Sequence, residues 1–166
     1  MSRLFVRRVS AYVLDIVLLF VVLGPLGFLV QWLLEIVPTT AHEIYATLLL
    51  NFSVPAWTYF TLSDQSQRGM TLGKRLLKIQ TRTQQGQQVR PLQAFTRTAT
   101  KMLPWEMAHI ASFLLVPEVG AFGLTAWVGL GVSYALTFTY LIAAWRTQGT
   151  RSIHDYVAST AMKTVS

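Results

Sequence analysis

VRRVSAYVLDIVLLFVVLG, residues 6–24, has the apolar character of a bilayer-crossing helix, yet it carries a carboxylate at Asp15. A spanning helix needs roughly 20 predominantly apolar residues. An aspartate at the centre of one costs about 2.5–3.5 kcal/mol on insertion scales. On a helix Asp15 lies about 10 Å from Arg8, at 1.5 Å per residue. That places it inside the hydrocarbon but nearer one surface than the midplane. Arg8, Ala11 and Asp15 are spaced i, i+3, i+7 and share a face. Ala11 is small, so another helix can approach closely there. The face reads as a docking stripe with a cation at its mouth and an acid within.

The rest of the chain supports a membrane protein. Only 13% of its 166 residues are charged and 52% are hydrophobic, where about 25% charged is usual. Four apolar runs stand out, at about residues 9–30, 44–62, 95–116 and 122–145. The third reaches spanning length only if its first turns, from Phe95, enter the interface with Arg97 and Lys101 snorkelling. A soluble fold would have to hide all four runs in one small core. Cysteine is absent, which removes disulfides and thiolate metal sites. With only three histidines besides, no metal and no cofactor are expected.

The charges give the four runs a direction. Arg3, Arg7 and Arg8 precede the first run; Arg68, Lys74, Arg75, Lys78, Arg82, Arg90, Arg97 and Lys101 lie between the second and third; Arg146, Arg151 and Lys163 follow the fourth. With four spans, all 14 basic residues fall on one side, and Glu35, Glu43 and Glu118 on the other. The positive-inside bias then predicts N-in, C-in and multi-pass, in the plasma membrane. The net charge of +7 is thereby read as orienting charge, not as a nucleic-acid footprint. Trp32, Trp105 and Trp145 fall near the expected interfaces. The first residues are not expected to be a cleaved signal: Asp15 interrupts the apolar run and no A-x-A site follows.

Other polar groups lie within the runs. Glu106 and His109, in LPWEMAH, share a helical face. Asn51 stands one turn before Pro55, as a partner for the carbonyl that proline frees or as a pathway residue. Thr125, Gly129, Ser133 and Thr137 form a small-xxx-small ladder, for packing within the subunit or across a homodimer. Residues 63–100 form the one long polar connection. In it LLKIQTRT alternates and QQGQQ offers a turn, which predicts a short interfacial hairpin. Lys74, Arg75 and Lys78 are expected to rest on anionic lipid. The stretch from Gly69 to Arg75 is one residue short of a phosphate loop, and Arg75 stands where Ser or Thr should be. The tail, RTQGTRSIHDYVASTAMK, is expected to be an amphipathic surface helix with an Arg151–Asp155 pair.

Three elements in order resemble the RDD family of small bacterial and archaeal membrane proteins, named for one arginine and two aspartates. Arg8, Ala11 and Asp15 match R-x-x-A-x-x-x-D; Gly69, Thr71, Gly73 and Lys74 match G-x-T-x-G-K; Arg151, His154, Asp155, Ala158 and Thr160 match R-x-x-H-D-x-x-A-x-T. Gly86 and Arg97 fall at the family's turn glycine and following arginine, although QQGQQ lacks the common acidic-glycine turn. The resemblance implies a single domain over residues 1–166 with Arg8, Asp15 and Asp155 as its central trio. It also implies a small transporter, with cation/proton exchange as the activity proposed for the family. Asp15 is then expected to be held by Arg8, Arg97 or Arg151, with Asp155 and His154 of the docked tail completing the network. Such a transporter would take a monovalent cation and a proton. The alternative is a non-transporting membrane adaptor in which the Arg/Asp set is a structural latch. No nucleophile–base pair supports an enzyme.

Overall fold

A computed structural model describes residues 2–113 and 123–165. Helix α1 (Arg3–Leu33) starts at Ser2, whose hydroxyl accepts from the Phe5 N–H. Helix α2 (Ala41–Leu48) runs into a π-helical turn (Leu49–Ser53) and on into α3 (Val54–Gln65). Pro55 explains the wide turn. Without its N–H the helix cannot bond back to Asn51, and Val54 instead donates five residues back to Leu49. Helices α4 (Leu72–Leu76), α5 (Pro91–Phe113), α6 (Gly123–Arg146) and α7 (Ile153–Val157) follow, with strands β1 (Ile79–Thr83) and β2 (Thr160–Thr164).

Helices α1 and α6 are long and apolar enough to cross a membrane, and only 17% and 11% of their most apolar 18-residue windows are buried within the protein. Their Val17, Phe28, Leu124 and Phe138 face outward. A core helix of a soluble protein would bury this surface. The end of the third run at 116, the start of the fourth at 122 and Glu118 lie outside the described residues.

Leu19, Phe52, Ala56, Phe60 and Met102 form the main core, where α1, the π-helical turn, α3 and α5 meet. Half-buried Trp105 packs against it, its ring 5.8 Å from Phe52 and 6.0 Å from Phe20. The small-residue ladder of α6 seats on α5 within the subunit. Ser133 donates to the Pro104 carbonyl, and a Cβ at Gly129 would lie 2.9 Å from that of Ala111. Pro104 frees the Thr100 carbonyl, and the Tyr140 hydroxyl of α6 donates to it at 2.9 Å.

Two expectations about the polar segments are corrected. The alternating stretch is a strand, but it forms no hairpin with its own loop. β1 pairs antiparallel with β2 of the tail, Ile79 opposite Thr164 and Thr83 opposite Thr160. The tail is therefore not one amphipathic helix; only Ile153–Val157 is helical before the chain extends into β2. The fold is mostly helical but carries this two-stranded sheet. Ile79 and Met162 of the sheet pack on Ala11 of α1, the small residue of the docking stripe.

The close approach at that stripe is made by α4. A Cβ on Gly73 would lie 2.2 Å from the Ala11 carbonyl oxygen and 3.0 Å from the Asp15 carboxyl carbon. Gly73→Ala is expected to destabilise the protein by about 1–3 kcal/mol or more through overpacking. Gly24→Ala meets nothing within 4 Å and should be neutral or slightly stabilising. Thermal melts of the two variants in detergent check the contrast.

Candidate functional site

Five charged side chains from five helices alternate in sign at one end of the bundle. Arg8 of α1 pairs with Asp155 of α7. Arg97 of α5 bonds Asp155 through Nε at 2.9 Å and Asp64 of α3 through Nη1. Lys74 of α4 closes the row on Asp64. Asp64 and Asp155 have no solvent exposure and Arg97 has 1%. Buried ions need their lone pairs and protons engaged, and here further hydrogen bonds reach each carboxylate, while the His154 Nδ1 has no partner. The hydroxyls of Thr81 (β1) and Thr160 (β2) donate to Asp64 and Asp155 at 3.1 Å each. The Ser152 N–H donates to Asp155 at 2.8 Å, and Arg8 donates to the Gly149 carbonyl at 3.1 Å. The sheet thus supplies one hydroxyl to each carboxylate, which is why the tail must pair with the loop.

Asp15 stands apart from this row and corrects the expected pairing. None of Arg8, Arg97 or Arg151 bonds it. Its carboxylate accepts from the Tyr59 hydroxyl at 2.7 Å, the Thr71 hydroxyl at 2.6 Å and the Gly73 N–H at 2.8 Å. These uncharged donors come from α3 and from the first turn of α4. Thr71 also caps α4, accepting from the Lys74 N–H at 3.2 Å. The loop motif therefore works as a unit. Thr71 and Gly73 serve Asp15, and Lys74 serves Asp64. Gly69 turns the chain at φ +61°, where a Cβ would strike the Thr81 carbonyl at 2.2 Å.

The other sequence candidates separate. Arg151 does not pair with Asp155; its guanidinium lies over the Tyr156 ring at 3.9 Å. Lys74 is buried and does not rest on lipid, whereas Arg75 and Lys78 are exposed. Glu106 forms a second polar cluster that shares no ligand with Asp15. It accepts from Ser53 at 3.1 Å and Trp57 at 3.0 Å, with His109 at 3.7 Å. Asn51 packs against Gly27 of α1. Among the described residues no three His, Asp or Glu side chains converge as a metal site requires.

His154 joins the row through its ring. Its Nε2 lies 2.7 Å from an Arg8 nitrogen, which is always a donor, so Nε2 accepts and the proton sits on Nδ1. Burial pushes its pKa well below 6.5; Asp155 opposes this, while Arg97 and Arg8 add to it. Burial alone would raise the Asp155 carboxyl, but Arg8 and Arg97 outweigh it and hold it well below the usual range.

Sequence reasoning missed Asp64, Tyr59 and Thr81, and met Thr160 only as a motif residue. Asp64 had a usable signal: it is the only aspartate besides Asp15 and Asp155, and it closes an apolar run just before the basic loop. Tyr59 had none, and the alternation of IQTRT puts Thr81 on the face of Ile79 without showing which acid it meets.

Two measurements follow from this geometry. A double-mutant cycle on Arg8 and Asp155 (Arg8→Met, Asp155→Asn) should show a coupling of about 1–3 kcal/mol. The same cycle on Arg8 and Asp15 should be additive within about 0.5 kcal/mol. The pH dependence of the melt carries a second expectation. A neutral, buried His154 contributes stability that is complete above the unfolded value of 6.5 and is lost as pH falls below it. The loss should approach about 1.4 kcal/mol per pH unit between pH 6 and roughly 5. Asp155 and Asp64 add theirs only as pH falls below about 4. His154→Gln should flatten the upper window and leave the lower one.

No curated protein matches the chain, and no solved structure does. The family model described as RDD family matches residues 3–159. That span holds all three motif elements up to Ser159, and with α1 and α6 it points to a membrane protein. The chain belongs to the RDD family.

Proposed function

We propose that the chain is a four-span plasma-membrane protein, both termini cytoplasmic, that exchanges a monovalent cation for protons at Asp15. The Arg8–Asp155–Arg97–Asp64–Lys74 row latches the loop and tail to the cytoplasmic end. The observation that carries this reading is the state of Asp15. Its carboxylate is 1% exposed, lies in the apolar stretch of α1, and is satisfied by neutral donors alone. A carboxylate locked to an arginine would have no charge to offer. Two of its three donors are hydroxyls, which can rotate to accept instead. The same ligands therefore suit the carboxylate, the protonated acid, or a small cation in the proton's place. Four spans are few for a transport path, and a homodimer would supply the second half.

The α4 surface fits the membrane reading. Leu72 and Leu76, 49% and 73% exposed, lie one turn apart beside exposed Arg75, with Lys78 just beyond. This is the pattern of a short helix resting on an anionic leaflet.

A second reading, a non-transporting adaptor, is favoured by one observation: each member of the charged row is already paired, as a static latch would be. Proteoliposome flux separates the two. A pH gradient is imposed, Na⁺, K⁺ or Li⁺ is added in turn, and lumenal pH is followed. Exchange predicts cation-dependent dissipation in the wild type and its loss, tenfold or more, in Asp15→Asn. A folded wild type without flux returns the adaptor reading.

A further inference from the structure

A cleft of about 540 Å³ runs beside Asp15, between α1 and α6, with α5 as its floor. That volume lies in the range of small-molecule sites. One end is polar, where Arg8, Lys74, Arg97, His154 and Asp15 reach it; the other is walled by apolar residues around Trp105 and Ala108. Val13 and Val17 on one rim and Tyr134 and Leu141 on the other are also exposed on the outer surface. The cleft therefore opens sideways, between the two most apolar faces of the protein. From Arg8 to Val17 the α1 wall is about 13 Å long, close to the roughly 15 Å of one leaflet's hydrocarbon.

Lys101 distinguishes this cleft from a packing gap. Its ammonium lines the cleft and lies 3.1 Å from the centroid of the Phe60 ring. It makes no ion pair with any described carboxylate, although the other three basic groups at this end pair with aspartates. Arg8, Lys74, Arg97 and Lys101 face only Asp15, Asp64 and Asp155 there, so one positive charge is left over. Lys101 is half-buried; a cation held there without a counter-ion is costly, and an anion entering the cleft would supply one. The walls then decide what kind of anion. A soluble ion would have to reach a lateral opening flanked by hydrocarbon, whereas a lipid is already there.

We propose that the cleft binds one acyl chain of an anionic phospholipid from the cytoplasmic leaflet, with the headgroup phosphate against Lys101 and the chain running toward Trp105. This rests on the membrane reading above but not on ion exchange. Trp105 is a built-in reporter at the apolar end. Trp32, Trp57, Trp127 and Trp145 are replaced by Phe, and the protein is placed in phosphatidylcholine bilayers. Brominated phosphatidylglycerol or brominated phosphatidylcholine is then titrated while Trp105 fluorescence is read.

Anionic phosphatidylglycerol should reach half-maximal quenching at about a fivefold lower mole fraction, the factor expected for one basic residue. Lys101→Met should erase that preference and Lys101→Arg should keep it. Ala108→Phe, which fills the apolar end, should cut the quenching by both lipids. Equal quenching in the parent overturns the proposal, and so does a preference that survives Lys101→Met. If Lys101→Met does not fold, undiminished quenching in Ala108→Phe overturns it alone. A companion protein keeping only Trp127, exposed on α6, reports bilayer contact. Absence of quenching there overturns the membrane reading together with the site, whereas normal quenching there with no preference at Trp105 removes the site only.

Discussion

The Arg97 guanidinium, held between Asp64 and Asp155, is the interaction on which the rest of the polar end depends. Each carboxylate is fully buried, and each carries a second cation, Lys74 or Arg8. Taken singly, each pair faces a desolvation cost that its Coulomb attraction only partly offsets. Sharing one cation between two acids changes that balance, because Arg97 is desolvated once and attracted twice. Arginine is required by geometry as well as charge. Nε and Nη1 lie in one rigid plane and point to different acids, which a lysine ammonium on a flexible stem would not fix.

The row decides how distant parts of the sequence meet. Asp64 ends the second apolar run, Arg97 begins the third, and Asp155 lies past the fourth. None is near another along the chain, so the pairing ties together helix ends whose shared packing is around Phe60 and Met102. The sheet then has its place. β1 and β2 are five residues each, too short to be stable as a lone pair in water. They persist because Thr81 and Thr160 point inward to the two acids while Ile79 and Met162 cover Ala11.

This explains which parts were legible in the sequence. The long helices were, since hydrophobic runs act over tens of residues. Strand β1 was visible as alternation, but alternation identifies a strand and not its partner, and a hairpin with its own loop was the nearest option. TAMKT alternates too briefly to compete with the helical spacing of Arg151 and Asp155. Arg8 and Asp15 stood out by their shared helical face and Thr71, Gly73 and Lys74 by family resemblance, yet the pairing of Asp15 and Asp155 was misassigned. Opposite charges were matched first, although the donors that hold Asp15 are two hydroxyls and an amide.

That misassignment has a physical lesson for the site. Asp15 and the charged row are separate in bonding but joined by one turn of helix. Lys74 fixes α4 to Asp64, and the residue before it, Gly73, presents its N–H to Asp15; Thr71 does the same with its hydroxyl. Gly73 lacks a Cβ because α4 lies directly on the Ala11 carbonyl, which leaves α4 almost no freedom to shift. A change in the pairing of Lys74 would therefore alter the donors at Asp15 without any charge touching it. The reverse also holds. An Asp15 that gained a proton or a cation would pull on Thr71 and Gly73, and through the same turn on Lys74 and Asp64. Asp15 and Asp64 are thus joined through α4 in two electrical environments: one carboxylate held by neutral donors, and one fixed by the cation that keeps those donors in place.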